Sequence, residues 1–262
     1  MNILDKIIVR KKEEIAAAKN EVPLQELEKY PLYNRTCHRL RDFVLAENRT
    51  GIIAEYKRAS PSKGVINDRS TVQEVVKGYA DAGASAISVL TDHDFFKGSL
   101  TDLQQARSVV AVPLLRKDFV IDEYQIAEAK AYGADIILLI AAVLDPAEVE
   151  RLAKYAKSLG LDVLLEIHNE QELEGNTIDE IDAIGVNNRN LKDFTVSIEN
   201  SLNLVSHIPG RYIKVSESGI SDPTIIRHLR KEGFQAFLIG ENFMKTDNPA
   251  LAIKQFVSEL SE

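Results

Sequence analysis

From residue 51 onward the chain repeats one unit, a short apolar run followed by a segment with helical spacing. The apolar runs are 51–56, 85–90, 112–116, 134–140, 162–167, 182–186, 211–215 and 235–239. Between most of them, segments 71–82, 100–109, 122–132, 146–158, 223–232 and 249–260 repeat apolar residues every three or four positions, as helices with one buried face do. Runs that are apolar throughout suit parallel strands covered by helices on both faces. Eight such strands alternating with helices predict an α/β protein, a (β/α)8 TIM barrel. A doubly wound open sheet is the rival. The first run is followed by KRASPSKG rather than a glycine-rich dinucleotide fingerprint, and a count of eight matches closure.

Residues 1–48 read differently. Leu4, Ile7, Ile8 and Ile15 fall close to one helical face, with a charged cluster of Arg10, Lys11, Lys12, Glu13 and Glu14 among them, which predicts an amphipathic helix over 2–19 that Pro23 ends. Cys37, Leu40, Phe43 and Val44 predict a second, short helix before Asn48. The expected organisation is one domain over 1–262, with an N-terminal helical extension (1–48) on a barrel (49–262). The formal charge of 32 − 40 = −8 gives no electrostatic footprint for nucleic acid or an anionic membrane surface. No run of about 18 apolar residues is present to span a bilayer, and the charged N-terminus lacks a signal-peptide core. A cytoplasmic protein is expected.

In such a barrel, chemistry belongs to the C-terminal ends of the strands and the loops after them. Charged residues that end apolar runs are therefore informative. The first run ends Glu55-Tyr56-Lys57, and alternation puts Glu55 and Lys57 on one face. Others end in Arg116-Lys117-Asp118-Phe119, Glu166-Ile167-His168, Asn187-Asn188-Arg189, Ser216-Glu217-Ser218-Gly219 and Gly240-Glu241-Asn242. Burying two lysines and three glutamates around one mouth is costly unless they pair or serve chemistry. Mixed ammonium and carboxylate groups also shift one another's pKa, so that one acts as acid and another as base near neutral pH.

Glycines after the last two strands, in Ser218-Gly219-Ile220 and Ile239-Gly240-Glu241, lie where backbone amides meet a phosphate in many barrels. Two tight turns are the plainer reading. Ser60-Pro61-Ser62-Lys63-Gly64 could close on the same anion. His93, Asp94 and His168 have no metal-binding spacing around them, so no metal is expected. Cys37 reads as core. Lys117 alone also fits a Schiff-base lysine.

Together these blocks resemble indole-3-glycerol phosphate synthase, from the segment 55–64 (EYKRASPSKG) through 116–119, 166–168, 185–191 (GVNNRNL) and 216–220 to 239–241. The resemblance runs in order from about residue 3 to residue 260. It implies a carboxy-lyase of tryptophan biosynthesis that closes the ring of 1-(2-carboxyphenylamino)-1-deoxyribulose 5-phosphate. Carbon dioxide and water leave, and no cofactor is needed. Lys117 then matches the general acid, and Glu166 the acid/base partner, with Glu55 and Lys57 beside it. Asn187, Arg189, Glu217 and Ser218 match substrate-binding positions; Ser60, Gly219, Gly240 and Glu241 match the phosphate site. Phe96, Phe119 and Leu138 are candidate walls for the aromatic ring, with core packing as the alternative. The expected partner is a small-molecule substrate alone, and a monomer is expected.

Two positions depart from the family pattern. Lys97 stands where a small residue is more usual, and 173–177 (LEGNT) is short and glycine-interrupted where a fuller helix belongs. The remaining rivals are another phosphate-binding barrel, an isomerase or a Schiff-base aldolase, and a barrel that binds sugar phosphate without catalysis.

Overall fold

The structure, a computed structural model, describes residues 3–190 and 194–260; Leu191 of the 185–191 block and both chain ends lie outside them. Eight parallel strands close into a barrel: β1 (Ile52–Tyr56), β4 (Ala86–Leu90), β5 (Leu114–Lys117), β6 (Ile136–Ile140), β7 (Asp162–Ile167), β8 (Ala183–Asn187), β9 (Ile213–Glu217) and β10 (Ala236–Ile239). Each pairs with its neighbours in sequence, and β1 closes the ring against β10. The helices after them are α4 (Val72–Asp81), α5 (Leu100–Val109), α6 (Glu123–Ala131), α7 (Pro146–Ser158), α8 (Glu170–Glu174), α9 (Glu199–Leu204), α10 (Pro223–Lys231) and α12 (Pro249–Leu260). The expected (β/α)8 architecture is therefore present. A two-stranded hairpin, β2 (Ala59–Ser60) with β3 (Gly64–Val65), follows β1, and a four-residue helix, α11 (Glu241–Met244), follows β10.

Strand alternation splits the core in two. One set of side chains, including Ile52, Ala54, Ile137, Leu139, Val163 and Leu165, packs outward against the helices. The other, including Ile53, Leu115, Ile136, Leu138, Leu164, Val215 and Leu238, fills the barrel. Counting in steps of two from the second set reaches Glu55, Lys57, Lys117, Glu166, Asn187 and Glu217, so the pleat itself aims these six inward at the mouth. Helix starts are well capped. Thr71, Asp122 and Asp145 each form a capping box, worth about 1 kcal/mol apiece.

The extension covers both ends of the barrel. Helix α1 (Ile3–Glu21) lays Ile3, Leu4 and Ile7 on the cavity at the mouth. After α2 (Leu24–Leu27), helix α3 (Leu40–Val44) packs Leu40 and Val44 onto the barrel-filling side chains at the opposite end. Two expectations need correction here, and one helix was not anticipated. Lys11 is buried with Ile7 and Ile15 rather than exposed with the rest of the charged cluster, because Glu14 of that cluster at 2.6 Å and Asp92 and Asp118 of the barrel at 2.9 and 3.0 Å surround its ammonium. Cys37 is buried but precedes α3. Helix α9 had no counterpart in the apolar spacing, since it is only one and a half turns of mostly polar residues. Where a fuller helix belongs near 173, the chain has the five-residue α8, which ends at Glu174 with Gly175 as its cap.

Candidate active site

Strand ends β1, β5, β7 and β9 deliver one cluster of charges into a single cavity, also lined by Phe96, Phe119 and Leu138. Lys117 Nζ lies 3.1 Å from Glu166 Oε2 and 3.8 Å from Glu217 Oε2. Lys57 Nζ lies 2.7 Å from Glu55 Oε1. Asn187 Nδ2 donates to Glu166 Oε1 at 3.0 Å, and Asn187 Oδ1 accepts from the Arg189 backbone N–H at 2.9 Å. That pair of contacts fixes the orientation of both the carboxylate and the amide.

Two glycines make room for these side chains. A Cβ on Gly240 would overlap Glu55 Oε1, and one on Gly185 would overlap Glu217 Oε1. The bare backbone at Gly240 thus accommodates a carboxylate of the protein itself, a reason for glycine there that differs from the phosphate approach expected above.

Burial opposes the Lys117 charge, but Glu166, Glu217 and Glu55 outweigh it and hold the ammonium above the usual lysine range. For Glu166, burial raises the pKa, whereas Lys117, His168 and the Asn187 hydrogen bond bring it down to about 2. Glu217 goes the other way. Burial, with Glu166 and Glu55 adding to it against Lys117, pushes it up to about 8, and its Oε1 is buried without a hydrogen-bond donor among the described residues. Two carboxyls beside one lysine thus carry opposite charge states at neutral pH, a separation typical of acid and base assignments.

A second cavity adjoins the first and shares Glu55, Lys57, Arg189, Ser218 and Glu241 with it. It adds Gly219, Gly240, Lys63 and Lys245. Of the loop after β1, Ser62 and Lys63 line this second cavity, while Ser60 lines only the first. Ser218 (φ 68°) and Gly219 (φ 77°) are consecutive left-handed residues, and Asn188 Nδ2 holds the turn by donating to the Ser218 carbonyl at 3.1 Å.

Sequence reasoning missed Lys245, which is a surface-type lysine after a turn, and Lys11. A signal for Lys11 existed: it stands four residues from both Ile7 and Ile15, in the middle of the buried stripe. Lys97 has φ 55°, a backbone conformation that explains why a small residue suits that position. His93 is exposed and pairs with Asp94, away from the mouth cavity.

A closed (β/α)8 barrel whose mouth joins a buried lysine to three glutamates beside a glycine-edged cavity belongs among the acid–base barrel enzymes. Solved structures share the fold at low identity. Tryptophan synthase from Pyrococcus furiosus superposes with a TM-score of 0.61 at 16% identity, over 82% of this chain and 98% of that one. The 3-hexulose-6-phosphate synthase from Salmonella typhimurium gives 0.61 at 12%, over 80% and 98%. Sequence narrows the class. The chain belongs to the indole-3-glycerol phosphate synthase family, whose model matches residues 4–256. Relatives of that name are 46% identical in Bacteroides thetaiotaomicron, over 99% of both chains, and 45% identical in Burkholderia ambifaria, over 95% and 96%.

Proposed function

We propose that the chain is a carboxy-lyase of tryptophan biosynthesis that converts 1-(2-carboxyphenylamino)-1-deoxyribulose 5-phosphate to indole-3-glycerol phosphate. The observation that carries this reading is Lys117, a buried ammonium held 3.1 Å from the ionised Glu166 carboxylate. As the carboxyl-bearing aromatic carbon attacks the ketone, Lys117 protonates the developing alkoxide, and carbon dioxide then leaves. Glu166 takes the proton from the carbon beside nitrogen as the hydroxyl departs. Lys57 serves either as ligand of the substrate carboxylate or as acid for that hydroxyl, and both roles need the ammonium that Glu55 holds at 2.7 Å.

Phe96, Phe119 and Leu138 face the aromatic ring. Ser218 and the backbone amides of Gly219, Gly240 and Glu241, with Ser60, Lys63 and Lys245, hold the phosphate end where the two cavities join. Asn187 and Arg189 bind and orient between the two. Fixing nucleophile and ketone of one molecule in attacking geometry contributes several kcal/mol to catalysis.

A Schiff-base mechanism fits the same lysine poorly, because imine formation needs a neutral amine and the neighbouring glutamates, Glu166 foremost, favour the charged one. The mouth is complete within one chain, which supports a monomer acting on a small molecule. An excess of eight negative charges supports a reading without nucleic acid, and no helix among the described residues is long and apolar enough to cross a membrane. We place the protein in the cytoplasm as one domain, with Lys11 joining the extension to Asp92 and Asp118 of the barrel.

The test uses substrate labelled with carbon-13 in its carboxyl group, with borohydride added during turnover. All label should leave as carbon dioxide, and the protein mass should not change. A borohydride-fixed adduct on Lys117 would replace the synthase reading with an aldolase.

A further inference from the structure

Glu166 has a neighbour that the mechanism above leaves unused. His168 turns its imidazole back toward the mouth, with Nε2 3.5 Å from Glu166 Oε1. That nitrogen is buried and has no hydrogen-bond partner among the described residues. The other nitrogen, Nδ1, lies 3.3 Å from Glu172 Oε2, which also accepts from the His168 backbone N–H at 2.8 Å. Asn169 Nδ2 donates to the second Glu172 oxygen at 2.8 Å. Helix α8 thus fixes the ring and leaves its far nitrogen 3.5 Å from Glu166 Oε1, close to it but not hydrogen-bonded. The charged groups facing it are Glu166 on β7, Glu172 on α8 and Glu217 on β9, while Arg189 lines the adjoining cavity. Burial opposes the imidazolium, but Glu172, Glu166 and Glu217 outweigh burial and raise it above its usual range.

The proposed reaction creates a demand for such a group. Protons go to the ketone oxygen and to the departing hydroxyl, and one returns from the carbon beside nitrogen. Conversion of a carboxylate to carbon dioxide therefore takes up one net proton per turnover, and it does so while substrate fills the mouth.

We propose that His168 is the proton reservoir of the site, recharging Lys117 from Nε2 through Glu166 while Glu172 holds Nδ1–H. Between ring closure and dehydration the proton leaves the imidazolium for the Glu166 carboxylate and passes on to the neutral Lys117 amine, 3.1 Å from Glu166 Oε2. The proton that Glu166 later takes from carbon returns to the acid that protonated the departing hydroxyl, so the imidazolium supplies the one net proton. Imidazolium and amine become imidazole and ammonium, and Glu166 ends as the carboxylate it began as. Solvent restores the Nε2 proton after product leaves. His168 touches no substrate in this scheme and is a positioning residue acting through Glu166. The inference rests on the reaction of the preceding subsection.

The test is the pH dependence of kcat in the native chain, His168→Asn and Glu172→Gln, together with the titration of His168 by NMR in the native chain and in Glu166→Gln. In His168→Asn, kcat should fall at least about tenfold with KM within about twofold, and the alkaline limb of the profile should disappear. Glu172→Gln should move that limb to lower pH, and Glu166→Gln should lower the pKa of His168. An unchanged pH profile in both His168→Asn and Glu172→Gln overturns the reservoir. If the native chain does not turn over the substrate, the reaction falls instead, and the NMR titration decides the reservoir: an unshifted His168 in Glu166→Gln rejects it.

Discussion

The two ends of the barrel treat buried charge in opposite ways. At the closed end, Asp135 is fully buried yet accepts from Arg35 at 2.7 Å, Arg107 at 2.8 Å and the backbone N–H groups of His38 and Leu114, each at 2.8 Å. Both carboxylate oxygens are satisfied twice over, although Arg35 Nε is buried without a partner among the described residues. At the mouth, Lys117 faces three glutamates, Glu217 keeps an oxygen without a donor among the described residues, and Glu55 presses against the bare backbone of Gly240. A satisfied buried ion pair holds elements together, whereas an unevenly satisfied one stores charge states that chemistry can use. The extension reflects the same division. Arg35 and Leu40 anchor it at the closed end through Asp135 and Asp162, and α1 brings apolar residues and Lys11 to the mouth.

Substitutions at the two ends should separate activity from stability. Lys117→Ala should lower kcat by about a hundredfold to ten-thousandfold, with a melting temperature close to that of the native chain, since its charge acts chiefly in the transition state. Steady-state kinetics with calorimetry on one preparation checks both halves. Asp135→Ala should do the reverse, costing about 3–5 kcal/mol of stability while the folded fraction keeps its turnover within about twofold. Urea unfolding gives the first quantity and an assay at low temperature the second.

Glu217 sharpens the comparison through pH. Its carboxyl binds a proton up to about pH 8 when folded and only to about pH 4.5 when unfolded. The folded state therefore holds more protons between those values, and this group's contribution to stability is present in acid and lost as pH rises toward 8, by at most about 1.4 kcal/mol per pH unit. Glu217→Gln fixes the neutral form. Its melting temperature relative to the native chain should climb from pH 5 to pH 8 and then level off. The smallest effect belongs to the outer surface, where Lys77 and Asp81 pair at 2.7 Å in solvent. Lys77→Ala should change stability by no more than about 0.5 kcal/mol, measured by the same urea titration.

Strand–helix alternation is legible in the chain because both faces of every barrel strand are buried, and only apolar runs satisfy that. The inward charges were legible for the same reason, as breaks in those runs at a fixed parity. Contacts between distant segments were harder to read. Lys11 has the local context of a surface lysine paired with Glu14, and it is Asp92 and Asp118, some eighty and a hundred residues on, that complete the pairing its burial needs. The loop after β1 contains two serines of equal chemical promise, and the hairpin of β2 and β3 decides that Ser62 borders both cavities and Ser60 only the first. Charge states were beyond sequence altogether, because Glu166 and Glu217 are the same residue type in similar strands and differ only in what surrounds them.

The central claim is that the mouth performs ring closure through Lys117, and indole fluorescence tests it most directly. The chain contains no tryptophan, so the background is low. Mixing it at catalytic concentration with 1-(2-carboxyphenylamino)-1-deoxyribulose 5-phosphate should give a rise in indole emission that continues over many turnovers and is lost in Lys117→Ala. No rise from the folded native chain, or an equal rise from Lys117→Ala, would contradict the account.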